Sequence, residues 1–190
     1  MYEAKNFERL LGTEGFSDVL LRNHFTLYEG YVSNTNKATE YLKTSEAGTQ
    51  QWSETKRRLG WEWNGMRLHE LYFGNMAKEK KTLDKKNNFA KKIATEFGSV
   101  EAWEKDFKAT GALRGIGWAV LACDNETGRC FNVWVNEHDT GNLAGASVLL
   151  VMDVFEHAFA LDFGIKRADY IAAFWNAIDW DVVSLRFAAV

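Results

Sequence analysis

Proline is absent from all 190 residues. At the usual share a chain of this length carries about nine. The residues leave open whether high helical content, deliberate removal or reconstruction of the sequence accounts for the gap. Cysteine is nearly absent too: Cys123 and Cys130 are the only two, too few for a disulfide scaffold. They flank Asp124-Asn-Glu-Thr-Gly128, a hairpin turn signal that can set them face to face across two strands. Free thiols are expected, and two thiols alone do not make a metal site. No apolar run is long enough to span a bilayer. The opening Met1-Tyr-Glu-Ala-Lys-Asn lacks the basic and apolar regions of a secretory signal, so a cytoplasmic chain with no membrane partner is expected. There is no excess of positive charge either. A net charge of -3 argues against nucleic acid as the main partner. The local clusters Lys78-Glu-Lys-Lys81 and Lys85-Lys86 read as a solvated connection. Histidine is limited to His24, His69, His138 and His157.

What is present is apolar and aromatic. Hydrophobic residues make up 46% and aromatics 14%, with eight Trp, enough for one domain or two small ones. Ser17 is a candidate N-cap. Val19, Leu20, Phe25, Leu27, Tyr28, Tyr31 and Val32 then build one apolar face of a helix running to about residue 43. A break over 44–48 precedes a second helix, about 49–75, carrying Trp52, Leu59, Trp63, Met66, His69 and Phe73. Two long helices joined this way predict an antiparallel hairpin. The basic stretch 78–86 follows as a connection. The second half mixes types. Helices are expected over 88–97 and 99–112, and strands over 118–123, 130–135 and 147–152. Further helices are expected over 154–161, 167–177 and 180–187. The fold class is α+β: an N-terminal helical-hairpin domain over 1–84 and a C-terminal α/β domain over 85–190.

Asp153-Val-Phe-Glu-His157 carries the chemistry. It offers a carboxylate and an imidazole inside an apolar run, on one face if the segment is helical. Buried there, both groups need a partner, and a metal ion takes both as ligands. His24 and His69 lie on the apolar sides of their helices. Three imidazoles and one carboxylate suit Mn, Fe or Zn.

Several segments in order carry a family likeness. Asp153-Val-Phe-Glu-His-Ala-Phe159 resembles the Asp-x-Trp-Glu-His-Ala-Tyr signature of the iron/manganese superoxide dismutases. Gly115-Ile-Gly-Trp-Ala-Val120 is similar to that family's Gly-x-Gly-Trp segment. Lys166-Arg-Ala-Asp-Tyr170 resembles its Arg-Arg-Pro-Asp-Tyr, and Phe174-Trp-Asn-Ala-Ile-Asp-Trp180 its Phe-Trp-x-x-x-Asn-Trp. Tyr31-Val-Ser-Asn-Thr-Asn36, just after His24, is similar to Tyr-Val-x-Asn-x-Asn, and Asn64-Gly-Met-Arg-Leu-His69 resembles the segment carrying the second histidine.

The resemblance implies that His24, His69, Asp153 and His157 bind one Mn or Fe ion per subunit. It implies a three-stranded antiparallel sheet in the C-terminal half, and dismutation of superoxide to dioxygen and hydrogen peroxide. It also implies a homodimer or tetramer in which Glu156 reaches the partner subunit's His157, with Tyr170 near the interface, meeting Tyr28. Trp118, Phe73 and Trp175 would line the pocket.

This chain departs from the pattern in three respects. The family's second-shell Gln is missing: Gly65 stands at one of its two positions and His138 at the other. His138 is therefore expected to bond a metal-bound water and to titrate near the ordinary histidine range, around pH 6.5. His24 and Tyr31 are seven residues apart where the family has eight, so Tyr31 is the gateway candidate and Tyr28 its rival. Phe155 replaces a Trp. Two other functions fit the residues: a non-catalytic metal-binding dimer of the same fold, and a mononuclear iron oxygenase, which needs two histidines and one carboxylate. A carboxylate-bridged di-iron site has too few carboxylates.

Overall fold

The computed structural model describes residues Met1–Val190. Helix α1 (Asp18–Thr44) starts where Ser17 Oγ accepts the Leu20 N–H at 3.0 Å, which satisfies one of the orphan donors of the first turn. The same serine is tied by its N–H and hydroxyl to the Asp162 carboxylate. Leu20, Leu21, His24, Tyr28, Val32 and Thr35 recur at helical spacing and form the buried face. Gly48, at φ 87°, makes the turn that a side chain would resist. Thr49 then caps α2 (Gln50–Gly74), which returns against α1 as the second arm of the hairpin.

The connection over 78–86 is pinned by surface pairs. Lys81 reaches Asp179 and Asp181, both at 2.8 Å, and Lys85 reaches Glu101 at 2.5 Å. Such exposed pairs contribute at most about 1 kcal/mol each, so they orient the connection more than they stabilise it. Asn87 and Ser99 cap α3 (Asn88–Phe97) and α4 (Val100–Gly111).

The sheet is three-stranded and antiparallel, with order β2-β1-β3: β1 Gly117–Asp124, β2 Cys130–Asn136, β3 Ala146–Asp153. Central β1 is buried over nearly its whole length, which is why it lacks polar alternation. Its register pairs Trp118 with Val135 on one side and Asp153 on the other. Gly117 is required at its start, because a Cβ there would lie 2.0 Å from the Val135 carbonyl oxygen.

The helix expected over 154–161 does not form. Pairing to β1 carries the strand through Asp153, and Val154 N–H still donates to the Gly117 carbonyl at 2.9 Å. Asp153 Oδ1 then accepts the Phe155 N–H at 2.9 Å, a local turn. A 3-10 turn over Glu156–Ala158 and the short α5 (Ala160–Phe163) follow. Asp153 and His157 therefore meet across a tight turn and not on a helix face. Helices α6 (Arg167–Asn176) and α7 (Trp180–Ala188) complete the chain.

One continuous apolar core runs through the hairpin, sheet and C-terminal helices. Buried Asn75 fixes α2 against β3: its side chain bonds both the N–H and the carbonyl of Val151, at 2.9 and 3.2 Å. Arg186 adds bonds to the Leu71 and Leu149 carbonyls. Burial without a carboxylate partner lowers its pKa to about 10. These polar ties set the helix carrying His69 against the strand carrying Asp153. Trp175 lies elsewhere. It is partly buried and packs on Trp103 and Trp180, at 5.4 and 5.2 Å between rings, not on the four ligands. No helix is long and apolar enough to cross a membrane.

Candidate metal centre

Four residues from four places converge. His24 comes from mid-α1, His69 from the last turns of α2, Asp153 from the end of β3 and His157 from the 3-10 turn. One ligand atom of each lies within 4.8 Å of all the others. Asp153 Oδ2 is the hub. It stands 3.2 Å from His24 Nε2, 3.2 Å from His157 Nε2 and 3.6 Å from His69 Nε2. Asp153, His24 and His69 are buried, and His157 alone keeps some exposure, 28% of its side chain.

The donor chemistry calls for a cation. His69 Nδ1 lies 2.6 Å from the Gly65 carbonyl. A carbonyl only accepts, so Nδ1 carries the proton and Nε2 is a bare lone pair. That Nε2 has no hydrogen-bond partner and faces the Asp153 carboxylate, acceptor against acceptor. An orphaned buried acceptor costs about 1–3 kcal/mol, and a cation between the two removes the cost. Burial pushes the pKa of His24 and of His69 below the ordinary range. Neutral imidazole is the ligating form. Burial alone would raise Asp153, but the adjoining imidazoles of His157 and His24, hydrogen-bonded to it, outweigh burial and hold the carboxyl low. The site therefore presents three imidazole nitrogens and one carboxylate oxygen, a set that suits Mn, Fe or Zn.

A hydrogen-bonded chain adjoins these ligands. Trp118 Nε1 donates to His138 Nδ1 at 3.1 Å. An indole can only donate, so His138 Nδ1 accepts and its Nε2–H points to the Tyr31 hydroxyl oxygen, 2.8 Å away. The Tyr31 proton is left free to be donated elsewhere. Its ring stacks on His69, with centroids 5.1 Å apart. The stacking requires Gly65, whose Cβ, if present, would lie 2.5 Å from the Tyr31 ring. Burial raises Tyr31 to about 12, helped by the Asp153 charge, and lowers His138 to about 4.

Both ring nitrogens of His138 are engaged, by Trp118 and by Tyr31. Burial also takes its titration well below the ordinary histidine range.

The other singled-out residues separate cleanly. Tyr28 donates to Glu70 at 3.0 Å and accepts the Lys5 N–H, so its hydroxyl is committed away from the four ligands. Phe73 packs on His24 at 4.8 Å, Trp118 on His69 at 4.9 Å, and Phe155 stacks between His138 and His157. Tyr170 is fully buried within the chain, where it donates to the Asp153 carbonyl at 2.5 Å and bonds Tyr72. Its apolar neighbours Phe16, Phe159 and Phe174 draw it inward. Glu156 is exposed.

Sequence reading missed Trp61 and Glu137. The Trp61 ring meets His138 edge-on at 4.4 Å, its Nε1 donates to Glu137 Oε2 at 3.0 Å, and Arg58 lies 3.6 Å over its face. Glu137 sits at φ 48°, a conformation few non-glycine residues adopt. The pair clamps the loop that carries His138 to α2. The available signal was the i, i+4, i+8 row Trp61, Gly65, His69 on one helix.

Comparison with known proteins yields a consistent set. The family described as iron/manganese superoxide dismutases, C-terminal domain, matches residues 84–186. The chain is 37% identical over 171 residues to superoxide dismutase [Mn] 2 of Haloferax volcanii, covering 89% of this chain and 85% of that one. It is 34% identical over 183 residues to superoxide dismutase [Fe] of Aquifex aeolicus, covering 92% and 85%. To superoxide dismutase [Fe] of Saccharolobus solfataricus it is 35% identical over 161 residues, covering 81% and 76%.

Proposed function

Because this chain belongs to the iron/manganese superoxide dismutase family, we propose that His24, His69, Asp153 and His157 hold its metal ion and that Tyr31, backed by His138, serves the proton side of the reaction. The enzyme is an oxidoreductase. It converts two superoxide ions and two protons to dioxygen and hydrogen peroxide, with one Mn or Fe ion per chain. When bound there, the ion would supply the one-electron redox chemistry that both halves of the dismutation need.

The chain's own residues do the rest. His24 and His69, kept neutral by burial, offer nitrogen lone pairs, and Asp153 offsets part of the cation's charge. The Gly65 carbonyl fixes the His69 tautomer, as outer-shell acceptors do for metal-ligating histidines. Trp118 and His138 hold the Tyr31 oxygen from behind, so its O–H faces the pocket and can hydrogen-bond a reduced oxygen species there. The aromatic walls Phe73, Trp118 and Phe155 exclude bulk water and strengthen each of these interactions.

The observation that carries the assignment is the bare His69 Nε2, buried, without a hydrogen-bond partner and aimed at the Asp153 carboxylate. The fourth converging ligand favours this reading over an oxygenase, for which two histidines and one carboxylate suffice. Asp153→Ala tests it. The variant loses the anionic ligand and is expected to lose most of its metal and activity while its circular dichroism stays helical. Near-stoichiometric metal with full activity would refute the ligand set.

The same reading includes assembly. Exposed Glu156 borders a surface recess of about 400 Å³ with Phe159, Gly164, Ile165 and Arg167. Ile165, which lines it, is 99% exposed, and Leu161, near it in the chain, is 58% exposed; His157, next to Glu156 in sequence, keeps part of its side chain exposed. A second copy seated there would bury these apolar groups and finish covering His157, which supports a homodimer. A cytoplasmic location belongs to this reading as well: two cysteines left as free thiols are what a reducing compartment preserves.

A further inference from the structure

Cys123 and Cys130 take no part in the metal centre. They are directly paired across β1 and β2, five residues along β1 from Trp118, which pairs with Asp153. That spacing is roughly 16 Å of strand. Beyond them the Asp124 N–H bonds the Arg129 carbonyl at 2.8 Å. This makes 124/129 the hydrogen-bonded pair and 123/130 the adjacent non-hydrogen-bonded one, where cross-strand side chains come closest. The two sulfurs are 3.1 Å apart and both residues are buried. Cys123 Sγ also bonds the Gly128 carbonyl at 3.2 Å. Closing a disulfide needs only about 1 Å of approach to the ordinary S–S length.

We propose that Cys123 and Cys130 form a peroxide-oxidisable dithiol that closes into a cross-strand disulfide at the hairpin turn. Hydrogen peroxide is the product of this enzyme's own reaction, so the oxidant is generated wherever the enzyme works. The balance is simple. One thiolate attacks a peroxide oxygen, the O–O bond breaks, and a sulfenic acid and hydroxide form. The second thiol then attacks the sulfenic sulfur, the S–S bond forms and water leaves. In sum, two thiols lose two electrons and two protons, and one peroxide becomes two waters. Cys130, the less buried of the two at 4%, is the first attacker. The Lys92 ammonium favours the Cys130 thiolate, but Glu96, bonded to that ammonium at 2.6 Å, opposes it. Burial, with the Cys123 sulfur next to it, raises Cys130 to about 12. Reaction is therefore slow at neutral pH and faster as the thiolate becomes accessible.

The test treats reduced, desalted holoenzyme with reagent hydrogen peroxide at two pH values, so it does not depend on superoxide turnover. Intact mass and alkylation after denaturation are read on quenched samples. The expected product is lighter by two hydrogen atoms, takes up no alkyl group and returns to the parent mass with dithiothreitol. It forms roughly tenfold or more faster at pH 9 than at pH 7 and melts about 5 °C higher than the reduced form. Cys130→Ser is expected to show no two-hydrogen loss and to keep one alkylatable thiol. Two outcomes would overturn the proposal. In the first, both thiols stay fully alkylatable after an exposure that converts solvent-exposed Met1 to its sulfoxide. In the second, oxygen atoms are added to the sulfurs without a disulfide.

Discussion

Replacing Gly65 with alanine probes how the backbone of α2 shapes the site. The added Cβ would stand 2.5, 2.7 and 3.0 Å from three carbons of the Tyr31 ring. Carbon atoms settle at about 3.5–4.0 Å, so the ring must retreat by about 1 Å. Two stability effects then oppose each other. Alanine favours the helix by about 1 kcal/mol over glycine, and forced overpacking costs about 1–3 kcal/mol. The net loss is roughly 0–2 kcal/mol, at most a few degrees in Tm, because the half-buried Tyr31 can move toward solvent. Function is affected more. The Tyr31–His138 bond of 2.8 Å would stretch past the hydrogen-bond limit, while the Gly65 carbonyl that orients His69 belongs to the backbone and stays. Gly65→Ala is therefore expected to keep its metal and lose about tenfold or more in superoxide turnover. Stopped-flow superoxide decay normalised to bound metal measures this. The Tyr31→Phe variant closes a double-mutant cycle. If Gly65→Ala acts through Tyr31, the double variant is no slower than the slower single variant. Parent-level turnover in Gly65→Ala, or losses that multiply in the double variant, would refute the reasoning.

Three further outcomes follow from the same geometry. Trp61→Phe keeps the ring beside His138 but removes the 3.0 Å bond to Glu137; turnover per metal should fall severalfold while Tm drops by only about 3 °C, and unchanged turnover would show that the clamp does not position His138. His138 is buried with its pKa lowered to about 4 by desolvation, so below pH 6.5 the unfolded chain binds the extra proton and the folded chain does not; stability should rise with pH from about 4 to 6.5 by up to about 3 kcal/mol from this group. His138→Gln should lose that share of the slope in urea titrations, and identical slopes in variant and parent would place the lowered pKa elsewhere. Glu156→Ala should weaken dimerisation and metal retention together, read by sedimentation and metal analysis on one sample; an intact dimer with unchanged metal would deny Glu156 a bridging role.

Much of the fold was legible because its signals are local. Ser17 caps the helix that its position suggested, and Thr49 and Ser99 cap helices that begin where their patterns were expected to start; the turn between Cys123 and Cys130 forms the expected hairpin. The stretch after Asp153 was misread for a physical reason. The stretch from Leu149 to Phe155 is buried throughout, so its periodicity cannot separate strand from helix. What decides is non-local: pairing to β1 and the Val154 bond to Gly117. The carboxylate and imidazole sit close together either way, which is why their proximity was readable while the element was not. Trp61 and Glu137 were invisible because they are linked across 76 residues, and His138's double engagement depends on a tryptophan and a tyrosine from two other elements. Trp175 was placed by likeness of its segment, and burial against Trp103 and Trp180 decided otherwise.

The central claim is that four converging side chains hold one redox-active ion that turns over superoxide. The most direct measurement is metal content and superoxide decay on the same protein, expressed with Mn and, separately, with Fe. The account predicts close to one ion per chain, turnover proportional to occupancy of the active metal, and loss of both on chelation with recovery on reloading. Full occupancy by Mn and by Fe with no turnover on either would contradict it and leave a metal-binding protein of the same fold. Turnover that survives complete metal removal would contradict it outright.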